Sequence, residues 1–160
     1  MDRFHKAFEM AVKAHENQIR ELTGSPVIVH PLAVMGILRN FGIKDEDILI
    51  AAVLHDVVED SSITLEELKK EFGDRVADLV DQVSKKQDKT YPIRDESGVV
   101  LKMADLIHNG LCMPKDNEKK INNYIRRVDL IIKNYPQLMN SYPEIFKYLK
   151  KILKKVKALR

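Results

Sequence analysis

Ile48-Leu49-Ile50-Ala51-Ala52-Val53-Leu54-His55-Asp56-Val57-Val58-Glu59-Asp60 begins with seven uninterrupted apolar residues and ends among four ionisable ones. At helical spacing the first seven leave no polar face, so the stretch predicts a helix running through the core of an all-α domain. The charges that follow need an explanation, because a buried carboxylate without a partner is costly. His55, Asp56, Glu59 and Asp60 therefore call for a cation, a set of hydrogen bonds or a water-filled cleft. A spacing of four puts Glu59 on the His55 side of the helix and Asp60 on the Asp56 side.

Working outward, Asp45 reads as the N-cap of that helix, and the helix before it runs from Pro31 to about Asn40, ending near Gly42. Pro31 disfavours helical geometry in the residue before it, so His30 is expected to be extended, at a helix entrance. A first helix is expected over about residues 2–21, with Phe4, Phe8, Ala11, Val12, His15, Ile19 and Leu22 on or near one face, closed by Thr23-Gly24-Ser25-Pro26. Downstream, Thr64-Leu65-Glu66-Glu67 is a capping box opening a short helix that Gly73 closes. Asp74 is placed to cap the next helix, with Val76, Leu79, Val80 and Val83 inward.

Residues 85–98 are polar and interrupted by Pro92, which suggests a mobile loop. A helix from Asp95 or Ser97 to Met113 then stops at Pro114. Another follows from about Asp116 to Tyr135, with Ile121, Ile125, Val128 and Ile132 as its stripe. Ser141-Tyr142-Pro143-Glu144 caps a terminal helix. No strand alternation, internal repeat or domain linker is evident, so the whole chain, 1–160, reads as one domain, its motif-bearing core over about 2–135 and its basic helix over about 142–159.

The contradiction at His55-Asp56 recurs once. In Val99-Val100-Leu101-Lys102-Met103-Ala104-Asp105-Leu106-Ile107-His108-Asn109, Asp105 interrupts an apolar run, with His108 and Asn109 on its side of the helix. With His30, the two helices could bring two imidazoles and two carboxylates, His30, His55, Asp56 and Asp105, to one divalent ion. Such a mixed nitrogen and oxygen set suits manganese, iron or zinc rather than an all-oxygen calcium or magnesium cage. An ion held there acidifies water near neutral pH for attack on phosphorus, and Glu59 and Asp60 are placed to position or deprotonate it. The competing reading makes each cluster an ordinary ion pair and predicts no bound metal.

Composition bounds the remaining possibilities. Hydrophobic residues at 44% and charged residues at 32% fit a globular chain and exclude disorder. The single cysteine, Cys112, excludes an intramolecular disulfide and a multi-cysteine zinc site. No apolar run approaches the roughly 18 residues of a membrane span, and the N-terminus leads into no signal-like block, so a cytoplasmic location is expected. Residues 146–160 hold seven bases and no acid. There Phe146, Leu149, Ile152, Leu153, Val156 and Leu159 recur at helical spacing, which reads as an amphipathic helix docking its stripe on the domain; the alternative is contact with nucleic acid or an anionic membrane surface.

The block Ala14-His15 through Gln18-Ile19-Arg20, Thr23-Gly24-Ser25-Pro26 and His30-Pro31-Leu32-Ala33-Val34 resembles the opening motif of the RelA/SpoT-type HD hydrolases. Ala51 to Asp60 with Phe72-Gly73-Asp74-Arg75-Val76 resembles their second motif, and Lys102 to Asn109 their third. A chain of this length is similar to the stand-alone small alarmone hydrolases. The resemblance implies an all-α HD-domain fold, a manganese ion, a small-molecule nucleotide substrate, and removal of pyrophosphate from the 3′ position of guanosine tetra- or pentaphosphate. It also implies His30, His55, Asp56 and Asp105 as metal ligands, Glu59 and Asp60 as the water-activating pair, and Asn109 and Arg20 as substrate contacts. Lys85, on the polar loop, is a candidate to join them. Leu106 and Leu111 stand where the family usually has arginines, which leaves open another nucleotide mono- or pyrophosphate as substrate, or a nucleotide-sensing or partner-binding module without turnover.

Overall fold

The computed structural model describes residues 2–160. Ten helices follow in order: α1 (Arg3–Ala14), α2 (Val29–Asn40), α3 (Glu46–Leu54), α4 (Val57–Asp60), α5 (Leu65–Phe72), α6 (Asp74–Val83), α7 (Glu96–Leu111), α8 (Glu118–Asn134), α9 (Pro136–Asn140) and α10 (Pro143–Lys157). The described residues form no sheet; one isolated bridge pairs Ile19 with Pro26.

Every residue from Ile48 to Leu54 is buried, as an apolar run without a polar face requires. α3 is thus the axis of the domain, with α1, α2 and α6 packed on it and α7 touching it. Asp45 caps it, accepting from the backbone N–H groups of Asp47 and Ile48. α7 is the second buried helix, packed against α2, α6 and α10. Its approach to α8 and α10 is close because Gly110 faces the Tyr124 hydroxyl and Ile152 there. The capping box at Thr64 and Glu67 is formed, and Gly73 turns α5 into α6 at φ 93°. Leu149, Ile152, Leu153 and Val156 of α10 are buried while its lysines face solvent, which is the docked arrangement expected of the basic tail. No helix among the described residues is long and apolar enough to cross a membrane.

Several boundaries differ from those expected. α1 ends at Ala14 rather than near residue 21, because the chain turns at Asn17, whose left-handed φ of 62° asparagine tolerates well. Its buried face is Ala7 and Ala11; Phe8, Val12 and Ile19 are exposed. His30 is helical, not extended: α2 starts at Val29, and Pro31 still falls in the first turn, where no intrahelical N–H bond is lost. Asp74 is the first residue of α6 and pairs with Lys69; Gly73 holds the cap position. The 85–98 segment divides. Residues 85–90 are exposed, but Tyr91 and Ile93 are buried, and Gln82 accepts from the backbone N–H of Arg94 and Asp95. On α8 Ile131 takes a buried position beside Val128, and Ile132 is only partly covered. α10 starts with Pro143 and has no side-chain cap.

Candidate metal centre

Three segments converge on one buried point. The α3–α4 turn brings His55 and Asp56, the first turn of α2 brings His30, and α7 brings Asp105. Ligand atoms of His30, His55 and Asp56 lie within 4.8 Å of one another. The Asp56 carboxylate is 3.3 Å from His55 Nε2 and 3.7 Å from His30 Nε2. Asp105 Oδ1 is 3.0 Å from His30 Nε2 and 3.7 Å from His55 Nε2. Both imidazoles thus approach both carboxylates; the group that closes within 4.8 Å is His30, His55 and Asp56, and Asp105 joins it through the two histidines.

The donor chemistry fits a divalent cation. His55 Nδ1 donates to the Ala52 carbonyl at 2.7 Å, so the neutral ring presents its lone pair at Nε2. That Nε2 is buried without a hydrogen-bond partner, an orphan that a metal would satisfy. Burial opposes charge on His55, but the carboxylates of Asp56 and then Asp105 outweigh it and raise its pKa to about 9. The two carboxylates thus favour a positive charge at this point. Burial would raise Asp105 as well, yet Lys102 and the two imidazoles hold it well below the usual carboxylate range.

Other side chains hold these four in place. Lys102, buried on α7, reaches Asp105 Oδ2 at 2.8 Å, with its ammonium 3.6 Å from the centre of the Tyr91 ring. Asn109 Nδ2 donates to Asp105 Oδ1 at 2.8 Å and its carbonyl accepts from Arg20 at 2.6 Å. The polar atoms of Asn109 are thus used within the site. Arg20 is buried; its Nη2 donates to Asn109 and lies 3.3 Å from His30 Nδ1, and its Nη1 has no partner. His108 Nδ1 stands 2.7 Å from His30 Nδ1. Burial, and then the charges of His30 and Arg20, push its pKa down to about 4, so it is a neutral neighbour able to accept from His30.

Glu59 and Asp60 flank Asp56 on different sides. Glu59 lines a cavity of about 180 Å³ together with His30, Asp56 and Asp105. Asp60 lines a cleft of about 480 Å³ with Arg20 and Asp56. Burial, followed by the charges of Asp56 and Glu59, raises the pKa of Asp60. Lys85 contributes by its backbone, whose N–H donates to Glu59, while its side chain lines a separate groove along α8. Leu106 is fully buried in the core and Leu111 is half exposed, so neither position brings a cation to the site.

Residues 7–97 match the HD domain family. The chain belongs to that family. This HD domain is 45% identical over 84 residues to the guanosine-3′,5′-bis(diphosphate) 3′-pyrophosphohydrolase of Aquifex aeolicus, covering 52% of the chain and 12% of that protein. It is 37% identical over 119 residues to the GTP pyrophosphokinase of Streptomyces coelicolor, covering 65% of the chain and 14% of that protein. The chain thus spans a small part of these curated relatives' length. In fold it resembles a solved metazoan orthologue of SpoT described as hydrolysing ppGpp, with a TM-score of 0.82 over 97% of this chain and 96% of that one, at 24% identity.

Neither Lys102 nor Arg127 stands out in the sequence, although both line the cavity beside His30, Asp56 and Asp105. Lys102 carried a usable signal, a base three residues before Asp105 in an otherwise apolar run. Arg127 carried none, since its place depends on how α8 crosses the site.

Proposed function

We propose that this HD domain is a metal-dependent phosphohydrolase that removes pyrophosphate from the 3′ position of guanosine tetra- or pentaphosphate, releasing GDP or GTP. The observation that carries the reading is the convergence of His30, His55, Asp56 and Asp105 beside a cavity with Glu59 in its wall. These four would hold one divalent ion, with manganese favoured by the family resemblance. When bound, that ion supplies charge neutralisation and an acidified water. The name of the Aquifex relative supports the choice of substrate.

The chain's own residues have distinct tasks in this reading. Water oxygen bonds to phosphorus, the bond from phosphorus to the 3′ oxygen breaks, and that oxygen leaves with a proton. Glu59, held by the Lys85 N–H, faces the cavity as the carboxylate that takes the proton from water. Asp60, with its raised pKa, is the member of the pair better able to hold a proton during turnover. Lys102, Asn109 and His108 keep Asp105 and His30 oriented. Arg20 and Asn109 act through their mutual bond, and Arg20, in the wall of the cleft it shares with Asp56 and Asp60, would meet the substrate there.

A second reading keeps the chemistry and changes the nucleotide, favoured by the absence of a cation at Leu106 and Leu111. Incubation with manganese and guanosine tetraphosphate, scoring GDP and pyrophosphate against a Glu59→Ala control, separates the two. Turnover lost in the control supports the proposal. Absence of turnover by metal-loaded protein, with release from another nucleotide, supports the second reading.

A further inference from the structure

Three cavities meet at one side chain. The metal cavity of about 180 Å³, a hollow of about 210 Å³ beside Leu22 and Tyr124, and a groove of about 930 Å³ along α8 all have Arg127 in their walls. Six further bases line the groove, Lys85 and Lys119 among them, against two acids, Asp88 and Asp129. The groove is lined by more bases than acids and shares Arg127 with the metal cavity.

Two cations line the metal cavity, and they differ in one respect. Lys102 is engaged, with Asp105 at 2.8 Å. Arg127 has no carboxylate within 4.0 Å among the described residues, and its Nε is buried without a hydrogen-bond partner. Its guanidinium carbon lies 5.7 Å from the centre of the Tyr91 ring, a ring that Lys102 already approaches more closely. The adjacent Arg126 is exposed and donates to Asn123. Burial opposes the charge on Arg127, but Tyr91 and the more distant carboxylates of Asp105 and Glu59 outweigh it, so the guanidinium stays charged with no carboxylate paired to it, and its planar fork matches phosphate oxygens.

We infer that Arg127 is a specificity-determining residue that binds a phosphoryl group at the junction of the metal cavity and the α8 groove. The substrate is then one with a second anionic group beyond the phosphorus being attacked. The word substrate rests on the phosphohydrolase reading; phosphoanion binding by Arg127 does not.

The test uses the full chain, kept metal-free with a chelator, titrated calorimetrically with inorganic pyrophosphate. Arg127→Gln is expected to weaken binding at least tenfold, Arg127→Lys to recover part of the loss, and Lys154→Gln, on the solvent face of α10 away from the groove, to stay within about twofold of wild type. Without pyrophosphate, Arg127→Gln is expected to unfold cooperatively with wild-type helical content, so the lost binding reports the missing guanidinium; a merely structural brace on Tyr91 would leave pyrophosphate binding unchanged. Pyrophosphate binding unchanged in Arg127→Gln, or no binding by wild type at millimolar pyrophosphate, overturns the inference. Arg127-dependent binding without turnover of guanosine tetraphosphate upholds it while removing the proposed substrate. Turnover with an unchanged KM in Arg127→Gln does the reverse.

Discussion

Lys102→Met tests whether Asp105 shares its charge between a lysine and a metal. Lys102 is 2% exposed, with its ammonium 2.8 Å from Asp105 Oδ2. Methionine keeps an unbranched stem and removes the charge. Breaking a buried ion pair by deleting one partner costs about 3–5 kcal/mol. The two imidazoles still face Asp105 Oδ1, at 3.0 and 3.7 Å, so the lower end, about 3 kcal/mol, is expected for the metal-free protein. A dication beside Oδ1 would supply the missing counter-charge and reduce the loss to about 1 kcal/mol. By linkage, the difference of about 2 kcal/mol is a tightening of metal affinity of about 30-fold. Urea unfolding in chelator and in saturating manganese, with a competition titration for the ion, measures both sides. Equal destabilisation with and without metal, or weaker metal binding, would refute Asp105 as a ligand.

His55, with its pKa raised to about 9 by Asp56 and Asp105 against the effect of burial, is protonated in the metal-free protein at neutral pH. Its contribution to stability is complete below its unfolded value of 6.5 and is lost as pH rises through about 9. Metal loading must therefore release about one proton from His55 near pH 7.5 and almost none above about pH 10.5; calorimetry in buffers of different ionisation enthalpy counts it, and a count of zero at the lower pH would exclude His55. Gly110→Ala places a methyl group against the Tyr124 hydroxyl and Ile152. Overpacking and weakening of the Tyr124 to Leu106 carbonyl bond, less the gain in helix propensity, cost a net of about 1–3 kcal/mol, and an unchanged urea midpoint would contradict the close approach of α7 to α8 and α10. Deleting residues 146–160 removes Leu149, Ile152, Leu153 and Val156 from the core, each worth about 1.5–3 kcal/mol. That approaches the whole stability of a typical domain, about 5–15 kcal/mol, so the truncated chain should aggregate; a soluble, cooperatively unfolding product would return the helix to a partner-binding role.

The residues that declared themselves in the sequence were those whose chemistry conflicted with their surroundings. Ile48 to Leu54 could only be a core helix, and the acids at Asp56 and Asp105 drew attention because a core helix should not carry them. Local signals with a fixed geometry, the Asp45 cap and the Thr64–Glu67 box, also read correctly. Competing local preferences were harder. Pro31 argues for an extended His30, yet a proline in a first turn disturbs no bond, and packing of α2 on α3 and α7 decides the matter. Phe8 looked like core and is exposed, because α1 turns its alanines inward for close contact with α3. α9 is five residues long and leaves no periodic pattern. Arg127 and the His108–His30 contact join residues from separate helices, and single-sequence periodicity carries no information about that.

Metal analysis of the purified wild-type protein and its Asp56→Ala variant, each loaded with manganese and desalted, tests the central claim most directly. One ion per chain in the wild type, with little or none in a variant of normal helical content, is the predicted result. Equal metal in both proteins would remove Asp56 from the ligand set, and none in either would mean that His30, His55, Asp56 and Asp105 form a set of ion pairs and not a metal centre.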